Sequence, residues 1–264
     1  MAEENIKLEI QSILPMGIIP KIIFIVPYRD REQHKHFFMR QMKYILEDMN
    51  KEDYEIHFVH QCDNRDFNRG AMKNIGFIAM KTKYADNYKD ITFVFNDVDT
   101  MPFTKNFLNY DTTSKNIKHF YGYKYTLGGI VSIKGDDYEK TNGFPNLWAW
   151  GFEDNMFQDR VIQKGLHIDR SVFYPIMDKN ILQMKDGLER VVNRSEYNKV
   201  AMKTNDGIDT ITDLIYDFDA ENNYINVKNF KSLTENDKSL NKVHNMKTGN
   251  TVFGRGRSKI RMLL

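Results

Sequence analysis

The chain has 264 residues, 41% of them hydrophobic and 13% aromatic, which is enough for one large α/β domain or for a domain with an extension. Its 38 basic and 36 acidic residues leave a formal net charge of +2, which gives no support for a nucleic-acid-binding protein. Cys62 is the only cysteine, which excludes an intramolecular disulfide and a zinc cluster built from thiolates.

Predicted strands and helices alternate through the first part of the chain. Residues 22–26 (IIFIV) form an apolar, β-branched run, which is typical of a buried parallel strand. In chain order we predict strands at 22–26, 55–60 and 91–95, with one helix between each pair of strands. The inner face of the first helix carries Phe38, Met42, Ile45 and Met49. The second helix covers about 69–81 and turns Met72, Ile75 and Ala79 inward. This order predicts an α/β fold with an open, twisted, mostly parallel sheet flanked by helices.

The third predicted strand runs into two acidic residues, Asp97 and Asp99. In open α/β sheets the ligand lies beyond the carboxyl ends of the strands, and alternation places both carboxylates on the same side of the chain. They could share a divalent ion, or one could hold the ion while the other binds a ribose hydroxyl. Carboxylate oxygens suit Mg²⁺ or Mn²⁺, which would neutralise a diphosphate. A solvated turn is the alternative reading.

Basic residues follow the same strand ends. Arg29 and Arg31 come after the first strand, and Arg69 begins the second helix. The forked guanidinium group matches phosphate oxygens, so these residues favour a nucleotide ligand over simple surface solvation. The sequence contains no Walker loop and no G-x-G-x-x-G motif, which gives no support for an NTPase or a dinucleotide enzyme.

A loop at 142–152 precedes the next predicted helix. Gly143, Pro145 and Gly151 punctuate the loop, and the spacing of the apolar residues after it is helical as far as a C-cap at Gly165. Glu153 and Asp154 therefore fall in the first turn, where they could cap the helix or act on a ligand.

Two tryptophans lie in this loop. Trp148 and Trp150 offer flat apolar faces that suit a sugar ring, although we expect at least one of them to pack in the core.

The end of the chain carries weaker patterns. Two strands about a turn near 221–223 are predicted, and the residues from about 231 onward are polar and poorly patterned. We therefore predict a single domain over 1–231 and a polar, basic extension over 232–264. The segment 247–264 contains five basic and no acidic residues, and we expect it to lie outside the domain core.

Five ordered segments resemble the β-1,4-galactosyltransferase family over roughly residues 20–230. They are FIVPYRDR at 24–31, FNRGAMKNIGF at 67–77, FVFNDVDTMP at 93–102, YKYTLGGIVSI at 123–133 and NGFPNLWAWGFEDNMF at 142–157. The resemblance implies a GT-A fold and an inverting transfer of a hexose or N-acetylhexosamine from a UDP-sugar to a hydroxyl of a carbohydrate or glycoconjugate acceptor.

The resemblance also implies residue roles. UDP contacts are implied for Pro27, Arg29, Arg31, Phe67 and Arg69. For the donor, the resemblance implies that Asp99 binds Mn²⁺ (or Mg²⁺) together with the UDP phosphates, that Asp97 faces the nucleotide sugar and that Gly129 lies against the donor. For the transfer, it implies that Trp150 stacks between the two sugars and that Glu153 holds sugar hydroxyls. Asp154 is implied to be the base that deprotonates the acceptor hydroxyl. We expect the helix N-terminus to keep Asp154 ionised.

The chain departs from the family pattern near the implied metal site. The family adds a histidine some thirty residues past the catalytic acids, whereas this segment contains Met184 and Asp186, and no histidine occurs between His167 and His244. Weaker metal binding, recruitment of Asp186 or loss of the metal would follow. A degenerate, non-catalytic sugar- or nucleotide-binding relative therefore stays open as an alternative.

Other departures bear on the loop, the donor and the location. Family glycine positions carry Ala149 and Phe152, and Asn155 replaces a third acid. Thr126 stands where galactose-transferring relatives have a tyrosine, so we expect room for an N-acetyl group.

The sequence shows no secretory signal and no run of about eighteen apolar residues. From this we expect a soluble, cytoplasmic enzyme without a membrane span, of viral or bacterial source.

Overall fold

The structure, a computed structural model, describes residues 18–185, 187–201 and 205–248. Within these residues the strands are β1 (Ile22–Tyr28), β2 (Tyr54–Gln61), β3 (Thr92–Asn96), β4 (Thr100–Pro102), β5 (Asn116–Gly122), β6 (Ile130–Lys134), β7 (His167–Asp169), β8 (Tyr174–Pro175), β9 (Ile181–Gln183), β10 (Glu189–Val192), β11 (Thr212–Asp219), β12 (Tyr224–Lys231) and β13 (Lys242–Asn245). The helices are α1 (Glu32–Ile45), α2 (Arg69–Lys83), α3 (Gly135–Lys140), α4 (Glu153–Gln163) and α5 (Arg194–Ala201), with 3-10 turns at Ile208–Thr210 and Lys238–Leu240.

A mixed sheet forms the centre of the molecule. In the described part of the chain it has nine strands in the order β11-β12-β2-β1-β3-β6-β5-β7, and β8 pairs with β5. Strands β12, β2, β1 and β3 are mutually parallel, whereas β6 runs antiparallel to β3 and to β5. Two small antiparallel pairs, β4-β9 and β10-β13, lie apart from this sheet. The predicted α/β class with a mostly parallel sheet is confirmed.

Strand β1 is buried on both faces, which explains its continuous apolar sequence. Ile23 and Ile25 pack in the cluster that contains the inner face of α2, whereas Ile22 and Phe24 pack in the cluster that contains α1. Helix α2 approaches so closely that a Cβ added at Gly76 would lie 2.7 Å from Ile25. These contacts fix the middle of α2 against the middle of β1.

The boundaries of the predicted elements shift by a few residues. Strand β1 continues two residues past the predicted end at 26, and β3 starts and ends one residue later than predicted. Helix α1 ends at Ile45, so Met49 lies in the turn beyond it rather than on its inner face. The predicted hairpin near 221–223 is confirmed, with Asn223 in the left-handed region at φ 59°.

The described residues after β12 contact the sheet domain. The indole Nε1 of Trp148 donates to the carbonyl oxygen of Thr234 at 2.8 Å, the amide of Asn241 donates to Asp66 at 2.8 Å, and β13 pairs with β10. The predicted domain boundary at residue 231 stays a proposal. If it is correct, residues 232–248 form an extension that docks on the domain. Of the basic segment 247–264, residues from 249 onward lie outside the described residues.

No helix in the described ranges is long and apolar enough to cross a membrane.

Candidate functional site

A cavity of about 330 Å³ opens at the carboxyl ends of β1 and β3. Charged side chains dominate its wall, because each strand end is followed by a short polar segment before the next element starts. The lining residues are Pro27, Arg29, Asp30, Arg31, Phe67, Arg69, Asp97, Val98, Asp99 and Arg190. The structure thus brings together all five predicted UDP contacts and the two predicted acids of the third strand.

Asp99 is a partly buried acid of this cavity with a second carboxylate and two arginines near it. Burial, and then the neighbouring carboxylate of Asp97, raise the pKa of Asp99 to about 6. Asp97 Oδ1 is buried and accepts no hydrogen bond within the described residues, and Arg69 Nε lies 3.8 Å from it. A divalent cation fits this arrangement because it would bind the orphaned oxygen and offset the repulsion between the two carboxylates.

The chain supplies few further ligands for such a cation. Among the described residues no group of three or more His, Cys, Asp and Glu side chains could hold a metal ion. The backbone N–H of Met184 donates to the carbonyl oxygen of Asp99 at 2.8 Å, so the segment that lacks the family histidine does reach this site. Asp186 lies outside the described residues. Oxygens from a bound phosphate and from water would complete the coordination shell of a cation held by these carboxylates.

Arginines provide the positive charge of the cavity. Burial lowers the pKa of Arg31, and Arg69 and Arg190 lower it further, whereas Asp99 opposes this change. Burial alone would lower the pKa of Arg69, but the carboxylates of Asp97 and Glu153 raise it above its usual value. The guanidinium groups of three arginines (Arg31, Arg69 and Arg190) are therefore close enough to affect a common pKa, and they lie around a pair of carboxylates. Such a mixture of charges is expected at a site that binds a phosphate group together with a metal cation.

Arg190 is a cavity residue that the sequence analysis missed. It lies on β10, which is held by pairing with β13 near the end of the described chain. Residues 187–192 match none of the five segments that carry the family resemblance. No local pattern marks this arginine, since its position depends on a strand pair between residues far apart in sequence.

Helix α4 presents the predicted catalytic acids beside the cavity. Phe152, immediately before the helix, has a φ of 71°, and this left-handed residue turns the chain into the first helical turn. Glu153 Oε2 accepts from the backbone N–H of Gly151 at 3.0 Å, and Arg69 Nη1 donates to Glu153 Oε1 at 3.3 Å. Arg69 thereby connects the cavity to the acids of α4.

Asp154 is paired with a residue that the sequence analysis did not consider. Lys73 Nζ lies 3.2 Å from Asp154 Oδ1. Burial raises the pKa of Asp154 to about 6, although Lys73 opposes this change. A pKa of about 6 still leaves Asp154 ionised at neutral pH, and the expectation that the helix N-terminus favours this ionised form stays a prediction. The available signal for Lys73 was its spacing of four residues from Arg69.

The two tryptophans have different environments. Trp148 is buried and stacks on Phe230 with ring centroids 5.3 Å apart, which confirms the core-packing expectation for one of the pair. Trp150 is half-buried, and its backbone N–H donates to the carbonyl oxygen of Val191 at 2.7 Å. Trp150 does not line the cavity described above, and its stacking on sugars stays a prediction.

The tryptophan loop is held in place from α5. Both oxygens of Glu196 accept backbone N–H groups, from Trp148 at 2.7 Å and from Ala149 at 3.0 Å. Burial raises the pKa of Glu196 to about 7, although these hydrogen bonds oppose the change. Phe152 stacks on Tyr197 with centroids 4.0 Å apart. The loop is thus held by residues that follow Glu153 and Asp154, the predicted catalytic acids, by some forty positions in sequence.

The Gly-Gly segment lies between the two groups of acids. The carbonyl oxygen of Gly129 accepts the backbone N–H of Asp97 at 3.0 Å, and the N–H of Leu127 donates to the carbonyl oxygen of Asp154 at 3.0 Å. Thr126 is buried, and its hydroxyl donates to the carbonyl oxygen of Tyr123 at 3.3 Å. Tyr125 is 56% exposed. The structure does not bring Thr126 or Gly129 to the wall of the 330 Å³ cavity.

Two sequence-family models match adjoining parts of the chain. The N-terminal region of glycosyl transferase group 7 matches residues 17–111, and the N-terminal domain of galactosyltransferase matches residues 109–183. Together they account for more than half of the chain and end before Arg190.

Curated relatives match somewhat more than half of the chain. The chain is 29% identical over 164 residues to human beta-1,4-galactosyltransferase 4, covering 58% of this chain and 45% of the relative. It is 31% identical over 159 residues to beta-1,4-galactosyltransferase 1 of Mus musculus, covering 57% and 39%. It is 33% identical over 160 residues to xylosylprotein 4-beta-galactosyltransferase of Caenorhabditis elegans, covering 57% and 53%. The chain thus spans about half the length of the curated relatives it matches.

Solved structures share the fold. The catalytic domain of Drosophila beta1,4-galactosyltransferase 7, in a complex with xylobiose, superposes with a TM-score of 0.58 at 21% identity, covering 82% of this chain and 96% of that one. A mutant of the same enzyme, in complex with manganese, UDP-Gal and xylobiose, gives a TM-score of 0.57 at 20% identity, with the same coverage. The predicted GT-A fold is confirmed.

Proposed function

Over residues 17–183 the chain belongs to the galactosyltransferase family of glycosyl transferase group 7, and from this premise we propose that it is an inverting, UDP-sugar-dependent glycosyltransferase. It would move a hexose or N-acetylhexosamine to a hydroxyl of a carbohydrate or glycoconjugate acceptor. The observation that carries the proposal is the link made by Arg69. Its guanidinium group contacts both Asp97 in the cavity and Glu153 at the start of α4.

The cavity would bind the nucleotide end of the donor. Arg29 and Arg69 lie on Phe67, with guanidinium carbons 5.4 and 5.7 Å from the ring centroid, and together they form a flat, positively charged wall. Arg31 and Arg190 add two further guanidinium groups that suit diphosphate oxygens. Pro27 would pack against the nucleoside, and Asp97, through the carboxylate oxygen that does not face the cation, would accept a hydrogen bond from a hydroxyl of the nucleotide sugar.

Asp99 would hold a divalent cation, Mn²⁺ or Mg²⁺, together with phosphate oxygens of the donor. A cation bound there neutralises charge on the departing diphosphate. The chain's own residues do the rest of the binding. The guanidinium groups would orient the diphosphate, and Glu153, which accepts hydrogen bonds from Arg69 and from the backbone of Gly151, would also accept them from sugar hydroxyls.

Asp154 would act as the base of a single displacement. Its carboxylate takes the proton of the acceptor hydroxyl while that oxygen bonds to the anomeric carbon, and the bond from this carbon to the phosphate oxygen breaks to release UDP. The raised pKa of Asp154 suits a general base, since a value of about 6 leaves the group ionised at neutral pH but basic enough to accept a proton.

A degenerate, non-catalytic sugar- or nucleotide-binding relative is the second candidate, and the missing histidine near Asp99 favours it. A nucleotide-binding relative would also bind UDP, so turnover decides between the candidates. The purified protein would be incubated with Mn²⁺, with UDP-galactose or UDP-N-acetylgalactosamine, and with xylobiose and N-acetylglucosamine as acceptors. We expect UDP release that depends on the acceptor, with a glycosylated product seen by mass spectrometry. UDP binding without product for any donor-acceptor pair would support the second candidate.

Donor choice, acceptor and cellular location belong to this proposal as finer points. An N-acetylhexosamine donor would be used at least as well as UDP-galactose, because Thr126 is smaller than the tyrosine of galactose-transferring relatives and would leave room for an N-acetyl group. A cytoplasmic location is part of the same proposal.

A further inference from the structure

Helix α2 carries two cations one turn apart, and each pairs with one of the two acids at the start of α4. Arg69 lies 3.3 Å from Glu153, and Lys73 lies 3.2 Å from Asp154. Residues four positions apart share a helix face, so this face of α2 is matched to the adjacent carboxylates. The sequence resemblance assigns a role to Arg69 and none to Lys73.

The ammonium group of Lys73 lies in an unusually dry place. Its side chain is 2% exposed, and Nζ stands 4.2 Å from the ring centroid of Phe144. The next residue, Asn74, donates from Nδ2 to the carbonyl oxygen of Phe144 at 2.7 Å, which fixes α2 against this loop. A buried lysine costs free energy unless a partner compensates for its lost hydration, and a methionine would fill the same apolar space without that cost.

We propose that Lys73 is a positioning residue for the transfer reaction, which holds the Asp154 carboxylate ionised and fixes its Oδ1 oxygen so that Oδ2 receives the acceptor proton. This inference rests on the proposed function. Four charged groups from three elements act on Asp154. Lys73 and Arg69 from α2 favour its ionised form, whereas Glu153 from α4 and Asp97 after β3 oppose it. Of these, Lys73 makes the direct contact.

The role of Lys73 predicts a specific pH dependence. Because Lys73 favours the charged form of Asp154, its removal should raise the pKa of Asp154 further. The acid limb of the kcat/KM profile should then move to higher pH by about one unit. In Lys73→Met, kcat/KM should fall about tenfold at pH 5 and less than about twofold at pH 8.5.

Matched variants separate this effect from general damage. Lys83→Met makes the same substitution on the same helix and removes an ion pair with Glu55, of 2.8 Å, that lies away from the cavity. We expect its pH profile to match that of the wild type. Lys73→Arg keeps the positive charge and should restore the acid limb in part. Thermal unfolding of all variants, measured by circular dichroism, checks that each protein is folded.

A direct titration keeps this inference separate from the proposed function. Carbon-13 NMR of the aspartate carboxyl groups, assigned with Asp154→Asn, should give a higher pKa for Asp154 in Lys73→Met than in the wild type. An unmoved pKa, or an equal loss of kcat/KM at every pH, would overturn the role of Lys73. If the pKa moves but the wild type transfers no sugar, the ion pair stands and the proposed function fails instead.

Discussion

The backbone of Gly128 lies directly against the carboxylate of Asp154. A Cβ added at Gly128 would stand 2.1 Å from Asp154 Oδ2 and 2.5 Å from its Cγ, which no real pair of atoms tolerates. Oδ1 meets Lys73 on the other side. The Asp154 carboxylate is thus held between an ammonium group and bare backbone, so the Gly-Gly segment shapes the surroundings of the proposed base.

The first prediction concerns this contact. Gly128→Ala should displace the Asp154 carboxylate and lower kcat by about a hundredfold or more, because a shift of about 1 Å at a reacting group can cost that much. UDP affinity, measured by calorimetry, should stay within about threefold of the wild type, since Gly128 is not among the residues that line the cavity.

Gly165→Ala is the control for this prediction. Gly165 has a φ of 68°, and an added Cβ there meets nothing within 4 Å. The variant should lose about 1 kcal/mol of stability through backbone strain while its kcat stays unchanged. Equal kcat values for Gly128→Ala and the wild type would show that the Asp154 carboxylate does not need its present position.

The second prediction tests Asp154 as the base. Asp154→Asn should leave UDP affinity nearly intact and lower turnover by a factor on the order of 10² to 10⁴. In the wild type, kcat/KM should fall as the pH drops through about 6, because protonation of Asp154 removes the base. Asp159→Asn changes an exposed acid of the same helix and should behave as the wild type. Normal turnover in Asp154→Asn would remove Asp154 from this role.

The third prediction concerns Arg190. Arg190→Gln should weaken UDP binding about tenfold, the size of one charge-assisted hydrogen bond to phosphate, and should weaken uridine binding little. Arg194→Gln, at an exposed position four residues later, serves as the control. Calorimetric titrations with UDP and with uridine measure both effects. Equal losses for the two ligands would mean that Arg190 acts on the shape of the cavity and not on the diphosphate.

The fourth prediction concerns the metal. Since the described residues offer two carboxylates and no larger ligand group, Mn²⁺ should bind weakly to the free protein and more tightly once UDP supplies phosphate oxygens. Titrations of Mn²⁺ with and without UDP, followed by calorimetry, test this coupling. Asp99→Asn should abolish the difference between the two titrations. Tight binding of Mn²⁺ to the free protein would instead reveal a further ligand from the chain.

The fifth prediction concerns donor choice. If Thr126 leaves room at the 2-position of the sugar, the wild type should use UDP-N-acetylgalactosamine at least as well as UDP-galactose. Thr126→Tyr should shift the preference toward galactose by about 1–3 kcal/mol, the range for one group in a pocket. Competition between the two donors, with both products quantified, measures the shift. An unchanged preference would show that Thr126, whose hydroxyl bonds to the backbone of Tyr123, does not reach the donor.

The sequence by itself determined the elements and most of the cavity. Apolar runs and helical spacing located β1, β2, β3, α1 and α2 to within a few residues, because these patterns are local. Polar residues after parallel strands were expected at one edge of the sheet, and Arg29, Arg69 and Asp99 do line one cavity there. The alternation of strands and helices implies parallel strands whose carboxyl ends meet at one edge of the sheet, so this part of the site could be predicted.

Only the tertiary structure decided how the charges of the site are matched. Lys73 appeared in sequence as one polar residue of a helix, and Arg190 lay outside every recognised segment. Their contacts depend on how α2 packs against the loop before α4 and on the pairing of β10 with β13. The raised pKa of Asp154 likewise depends on burial and on charges from three elements. Distances between residues remote in sequence set these energies, and no local pattern encodes such distances.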